Sequence, residues 1–170
     1  MQIAMIGTGY VGLVTGACFS EFGAVVTCVD SDKVKIERLN NGEIPIFEPG
    51  LEALVQSNVK AGRLFFSCDL RTAVANSDAV FIAVGTPSRR GDGHADLTYV
   101  FSAAKEIAEA LNGYTLVVTK STVPVGTGRQ VEATMRELRP DAEFDVSSNP
   151  EFLREGCLLY TSDAADEITG

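Results

Sequence analysis

Positive charge is scarce in this chain. Fourteen lysines and arginines stand against 23 aspartates and glutamates over 170 residues, for a formal net charge of −9. Such a surface repels phosphate backbones, which argues against nucleic acid as a general partner and leaves room only for a local site taking a small anion. Histidine occurs once, at His94, in a polar loop with Arg89 and Arg90. A solitary histidine without partner residues reads as solvated, and the arginines read as a polar loop face. Cysteine occurs four times, as Cys18, Cys28, Cys68 and Cys157, with no CxxC pair. That excludes a zinc ribbon or a disulfide framework, and no metal site is expected. Cys18 and Cys28 lie in apolar runs, where a cysteine acts as a small hydrophobe. Reduced thiols suggest a cytoplasmic protein. No run approaches the ~20 apolar residues needed to span a membrane, and no basic stretch with an apolar core opens the chain as a secretory signal would. Internal repeats and low-complexity segments are also lacking.

What is present is a soluble, globular composition of 45% hydrophobic and 22% charged residues, enough for one domain with a buried core. Strand and helix patterns alternate from the start. Gln2–Ile6 is short and apolar. Residues 11–22 place Val11, Val14, Cys18 and Phe22 at helical spacing. A β-branched run follows at 24–29, then a helix at 32–40, a Gly/Pro loop at 41–49, a helix at 50–61 and a strand at Leu64–Ser67. Residues 79–84 form a continuous apolar run, the mark of a strand covered on both faces. After a loop, Asp96 stands as an expected N-cap for the clearest amphipathic helix, with Val100, Phe101, Ala104, Ile107, Ala108 and Leu111 at three- and four-residue steps. Asn112 and Gly113 end it. Strand Thr115–Thr119, helix 128–138 and strand 144–147 complete the series. This alternation predicts an α/β fold, a doubly wound parallel sheet.

The first crossover carries the chemistry. Gly7-Thr8-Gly9-Tyr10-Val11-Gly12 is a GxGxxG turn that follows a strand and opens a helix, and the next strand ends in Asp30, 18 residues after Gly12. In that context the turn is a dinucleotide-binding fingerprint of the Rossmann type. Gly7 permits the tight turn, Gly9 lets backbone approach a pyrophosphate, and Gly12 lets helix pack on strand. The helix amides and dipole hold the anion. A carboxylate at position 30 accepts the adenosine ribose hydroxyls and repels a 2′-phosphate, so NAD is favoured over NADP. Lys33 and Lys35 follow closely; a contact with the cofactor ribose or phosphate is open to one of them, and a solvated helix face is the competing reading for Lys33.

In open α/β sheets ligands bind beyond the carboxyl ends of the strands. Three of those ends are polar: Gly85-Thr86-Pro87, Lys120-Ser121-Thr122-Val123-Pro124 and Ser148-Asn149-Pro150-Glu151. Turn chemistry accounts for part of this; a functional role is expected for Thr86, Thr122 and Glu151.

Five segments occur in one order: 3–12 (IAMIGTGYVG), 46–54 (IFEPGLEAL), 84–87 (VGTP), 120–127 (KSTVPVGT) and 148–156 (SNPEFLREG). Together they resemble the N-terminal, NAD-binding domain of the UDP-glucose 6-dehydrogenase family. The last two segments argue against hydroxyacyl or hydroxyisobutyrate dehydrogenases. GDP-mannose and UDP-N-acetylmannosamine dehydrogenases remain the alternatives within the class, and a non-catalytic NAD-binding module the alternative outside it. The resemblance implies that a nucleotide-sugar C6 alcohol, UDP-glucose first, is oxidised twice with two NAD reduced, a cysteine capturing the aldehyde stage. It implies that Tyr10, Val11, Asp30, Lys35, Thr86 and Thr122 contact NAD or lie beside it. Glu151 assists proton transfer near the sugar, and Thr122 pairs with it. Phe152 and Leu153 offer backbone to the sugar nucleotide, and Glu155 lies near the nicotinamide end.

The resemblance is read over residues 1–156. The tail 157–170, Cys157 included, does not continue it and is expected to be non-native. The catalytic cysteine, the oxyanion-binding lysine, most of the UDP surface and the long helix of the dimer contact would belong to a longer protein. That protein is expected to be a homo-oligomer, with this chain inactive alone.

Overall fold

A computed structural model of the chain describes residues 1–87 and 95–150. Six strands form one sheet: β1 (Gln2–Ile6), β2 (Val25–Val29), β3 (Leu64–Ser67), β4 (Ala79–Ile82), β5 (Thr115–Thr119) and β6 (Phe144–Ser148). Their order is β3-β2-β1-β4-β5-β6, and every pairing is parallel. This is the doubly wound, Rossmann arrangement expected from the alternation. The connection reverses direction between β1 and β4, which opens a crevice at their carboxyl ends.

Strand periodicity sorts the core into two layers. On one face Ile3 and Met5 of β1, with Val26 and Cys28 of β2, are buried under helices α1 (Tyr10–Glu21) and α3 (Leu51–Lys60) through Leu13, Val14, Ala17, Leu51 and Val55. Helix α2 (Lys33–Asn40) adds Ile36 and Leu39. On the other face Ala4, Ile6, Val80 and Ile82 meet helices α4 (Leu70–Ala75), α5 (Thr98–Ala110) and α6 (Thr127–Leu138) through Val74, Val100, Ile107, Val131 and Met135. Each Val, Leu, Ile or Met among these stabilises the fold by roughly 1.5–3 kcal/mol on burial.

Three local expectations need correction. Helix α1 is not a striped surface helix: Gly12 through Cys18 are all buried, and it carries no acid in its first turn and no base in its last. Phe22 is therefore not a core residue but the C-cap, 62% exposed. Helix α4 was not expected at all. It is only six residues long, too short to show a period, and is started by Asp69, whose side chain accepts from the Thr72 amide. Asp96 is not the N-cap of α5, which falls on Leu97. Instead its Oδ1 accepts from the Thr98 amide at 3.0 Å and from the Thr98 hydroxyl at 2.6 Å, a turn that leads into the helix.

The register sets the site. Ile6 stands level with Val29 on one side and Ile82 on the other. Val29 is level with Ser67, Ile82 with Thr119, and Thr119 with Ser148. The residues that follow, Cys68, Asp30, Gly7, Ala83, Lys120 and Asn149, thus leave the sheet in a single row along its carboxyl edge.

Candidate functional site

The three glycines of the first turn do three different things. Gly7 has φ +107°, a conformation that side chains resist. A Cβ there would also lie 2.6 Å from the Ala83 carbonyl oxygen. Its amide donates to the Val29 carbonyl at 2.7 Å, which ties the turn to β2. A Cβ on Gly12 would overlap the Gly7 carbonyl oxygen, so this glycine lets α1 start directly against the turn. Around Gly9 a Cβ would meet nothing within 4 Å. Gly9 is the N-cap of α1, with no side-chain cap bond. The first amides of a largely buried helix with no acid in its first turn are thus presented to an open cradle, the arrangement that binds an anion.

Asp30 leaves β2 beside this cradle. Its Oδ2 accepts from the Thr8 amide at 3.0 Å, the Thr8 hydroxyl at 2.6 Å and the Lys35 ammonium at 2.8 Å, while Oδ1 accepts from the Asp32 amide at 3.0 Å. Burial alone would raise its pKa. The hydrogen bonds from Lys35, Thr8 and the backbone outweigh that and bring it from 3.8 to about 2. The carboxylate is therefore ionised at neutral pH and fixed in place. Lys35 reaches it because Asp32 caps α2 by accepting from the Lys35 amide, setting that residue in the first turn.

A cavity of about 420 Å³ joins these parts. Ile6, Gly7, Gly9, Asp30 and Lys35 line one stretch, Ala83, Val84 and Gly85 of the β4 end a second, and Cys68, Leu70, Tyr99, Ser102, Ala103 and Glu106 a third. Gly7, Gly9, Asp30 and Lys35 are thus brought together as expected. The Tyr10 and Val11 side chains are not part of this lining. Both pack on the α1–α3 side, and the Tyr10 hydroxyl donates to Glu48 Oε2 at 2.7 Å. At those two positions only backbone can serve the cradle.

Farther along the edge, Thr86 donates from Oγ1 to the Thr122 carbonyl at 3.1 Å. Ser121 donates to the Val84 carbonyl at 2.7 Å, and Lys120 to Asn149 Oδ1 at 3.0 Å. The ends of β4, β5 and β6 are thereby joined, and Thr86 and Thr122 are neighbours. Glu151, Phe152, Leu153 and Glu155 lie outside the described residues, as do His94, Arg89, Arg90 and the tail 157–170. Among the described residues no group of three His, Cys, Asp or Glu side chains is placed to hold a metal. No helix there is long and apolar enough to cross a membrane.

Sequence reasoning missed several participants. Thr8, 1% exposed, is the turn's link to Asp30. Glu48, 6% exposed, anchors the α2–α3 loop to the start of α1. Tyr99, Ser102 and Glu106 lie on the exposed side of α5, and Ala103 beside them is buried in the core as well as lining the cavity. Their spacing of three, four and seven residues was the available clue.

The whole chain, residues 1–170, matches the model of the UDP-glucose/GDP-mannose dehydrogenase family, NAD binding domain. The chain belongs to this family. A UDP-glucose 6-dehydrogenase of Rhizobium meliloti (strain 1021) is 64% identical over 99% of this chain and 38% of its own length. The UDP-glucose 6-dehydrogenase TuaD of Bacillus subtilis (strain 168) is 55% identical over 94% of the chain and 34% of its own. Among solved structures, the GDP-mannose dehydrogenase of Pseudomonas aeruginosa, in a ternary complex, superposes with a TM-score of 0.90 at 40% identity, covering 96% of this chain and 39% of that one. The chain spans somewhat over a third of the length of these UDP-glucose/GDP-mannose dehydrogenase family members. It is their NAD-binding domain, and its cofactor is NAD. The residues present fit that cofactor: the space at Gly9 suits a pyrophosphate, and the ionised Asp30 suits ribose hydroxyls. The relatives are NAD-dependent oxidoreductases acting on nucleotide sugars.

Proposed function

We propose that this chain is the cofactor-binding part of an enzyme that oxidises UDP-glucose to UDP-glucuronate with two NAD, and that by itself it binds NAD without turnover. The observation that carries this reading is the cavity in which an uncapped, open Gly9 cradle and a fixed Asp30 carboxylate lie together. Relatives named UDP-glucose 6-dehydrogenase, 64% and 55% identical, favour that sugar over mannose. GDP-mannose and UDP-N-acetylmannosamine are the competing substrates to assay.

In this reading NAD, when bound, accepts hydride from the sugar C6. The chain's own groups do the rest. The α1 amides hold the pyrophosphate, and Asp30 grips the adenosine ribose with Lys35 beside it. Thr86 and Thr122 flank the nicotinamide end, where a hydroxyl orients water or substrate. Glu151 moves the proton, Phe152 and Leu153 present backbone to the sugar nucleotide, and Glu155 stands by the nicotinamide. The full-length protein works in the cytoplasm as a homo-oligomer.

Calorimetry of the 170-residue chain with NAD tests the first half of the proposal. Binding without NADH formation is expected, and no binding by a folded chain overturns it. The second half is tested by NADH production from the full-length protein with UDP-glucose, GDP-mannose and UDP-N-acetylmannosamine. Faster turnover of either competitor overturns the substrate assignment.

A further inference from the structure

The cavity is longer than the phosphate cradle and the ribose acid require. Besides Gly9 and Asp30, its lining takes in Cys68 and Leu70 beyond the β3 end and Tyr99, Ser102, Ala103 and Glu106 of α5. A dinucleotide runs pyrophosphate, ribose, base. With the first two placed, the base falls in this third stretch. Leu70, Ala103 and the Tyr99 ring offer apolar wall to a flat heterocycle. The α5 contribution is one stripe at positions 99, 102, 103 and 106, and its polar end is built in a particular way. Ser102 donates from Oγ to Glu106 Oε1 at 3.3 Å, which orients the carboxylate and leaves its second oxygen as an acceptor. One turn on, Arg71 of α4 and Glu109 of α5 stand 3.8 Å apart, so both walls are linked just beyond this point.

We propose that Glu106 selects the base of the dinucleotide, accepting the exocyclic amino group of adenine and disfavouring a base that presents a carbonyl at that position. The proposal rests on the NAD reading above and adds to it a residue that reads the base. A carboxylate has only acceptors. Adenine brings donor to acceptor. Hypoxanthine brings an oxygen against an oxygen and leaves both without a hydrogen at the contact. A site built to receive a donor discriminates against an analogue that lacks it. At this solvent-exposed position the expected preference is modest, about tenfold.

The experiment is calorimetric titration of the 170-residue chain with NAD and with nicotinamide hypoxanthine dinucleotide, for the unaltered protein, Glu106→Gln and Glu109→Gln. The unaltered chain should prefer NAD about tenfold. Glu106→Gln, whose amide presents both a donor and an acceptor, should bring the two affinities within about threefold. Glu109→Gln, which keeps the surface change but not the lining position, should retain the full preference. An unchanged ratio in Glu106→Gln, or equal affinities in the unaltered chain, overturns the assignment of Glu106 and leaves the NAD reading standing. A folded, unaltered chain that binds neither dinucleotide overturns both. All three proteins are to be checked by circular dichroism, since position 106 is exposed and its substitution should not disturb the fold.

Discussion

The two halves of the sheet's carboxyl edge are made differently. Around β1 and β2 the site is a consequence of packing: Gly7 and Gly12 are forced because a Cβ at either would overlap a carbonyl oxygen, Thr8 is buried, and Asp30 is held by four protein hydrogen bonds. Around β4, β5 and β6 the polar residues are more open. They touch mainly one another, through the Thr86–Thr122 and Lys120–Asn149 contacts. The first half has the rigidity of the core and serves an invariant part of the ligand. The second is a set of side chains from three separate strand ends. A precise anion site can be dictated by backbone and glycine; a reaction site is assembled from separate strand ends.

The sharpest way to break this contrast is within the glycine turn. Gly9→Val should lower NAD affinity at least 100-fold in calorimetry with little change in melting temperature, because its Cβ meets only the cradle. Gly12→Val should do the opposite first, lowering stability by about 3 kcal/mol or more in urea titration, because it presses on the Gly7 carbonyl. If both lose binding at equal stability, the division of labour is wrong. Next in size, Asp30→Ala should weaken NAD about tenfold and relax discrimination against NADP; unchanged affinity for both would refute the ribose assignment.

The acid limb of stability sharpens the same point. Asp30 titrates at about 2 in the folded chain against 3.8 free, so its contribution is present above pH 4 and lost as pH falls toward 2. The full value of that shift is about 2 kcal/mol, which solvent at this partly exposed site reduces to about 1 kcal/mol. Asp30→Asn should remove that portion of the pH dependence in urea melts between pH 4 and 2. Smallest of all, Thr86→Val should change stability by less than about 0.5 kcal/mol, since it removes one hydrogen bond open to water. A large loss would mean that the β4–β5 end is as built-in as the β1–β2 end.

The same contrast explains what could be read in advance. Gly7 and Gly12 were legible because backbone sterics leave room only for glycine there, and Gly9 and Asp30 because they stand at the fingerprint's fixed spacing from those two. The doubly wound parallel sheet followed from alternation and crossover handedness. Helix α4 was not legible, because six residues give no period. The burial of α1 on nearly all sides erased the stripe expected of it and turned Phe22 outward. Glu48 sits in a Gly/Pro loop, where an acid suggests solvent; its partner Tyr10 lies 38 positions away, and only the fold reveals the pair. The Tyr99–Glu106 stripe was hidden by the stronger apolar pattern on the same helix.

The thiols lend the molecule an internal clock. Cys28 is fully enclosed, its pKa pushed up to about 12 by burial, and it lies against Gly16 so closely that one added methyl there would sit 2.6 Å from its sulfur. Cys18 is enclosed as well, whereas Cys68 is open at the mouth of the cavity. Among the thiols of the described residues, an alkylating reagent should therefore mark Cys68 at once, and Cys18 and Cys28 only when the sheet and α1 part. The lag between the two events gives the opening rate of the domain without any introduced label.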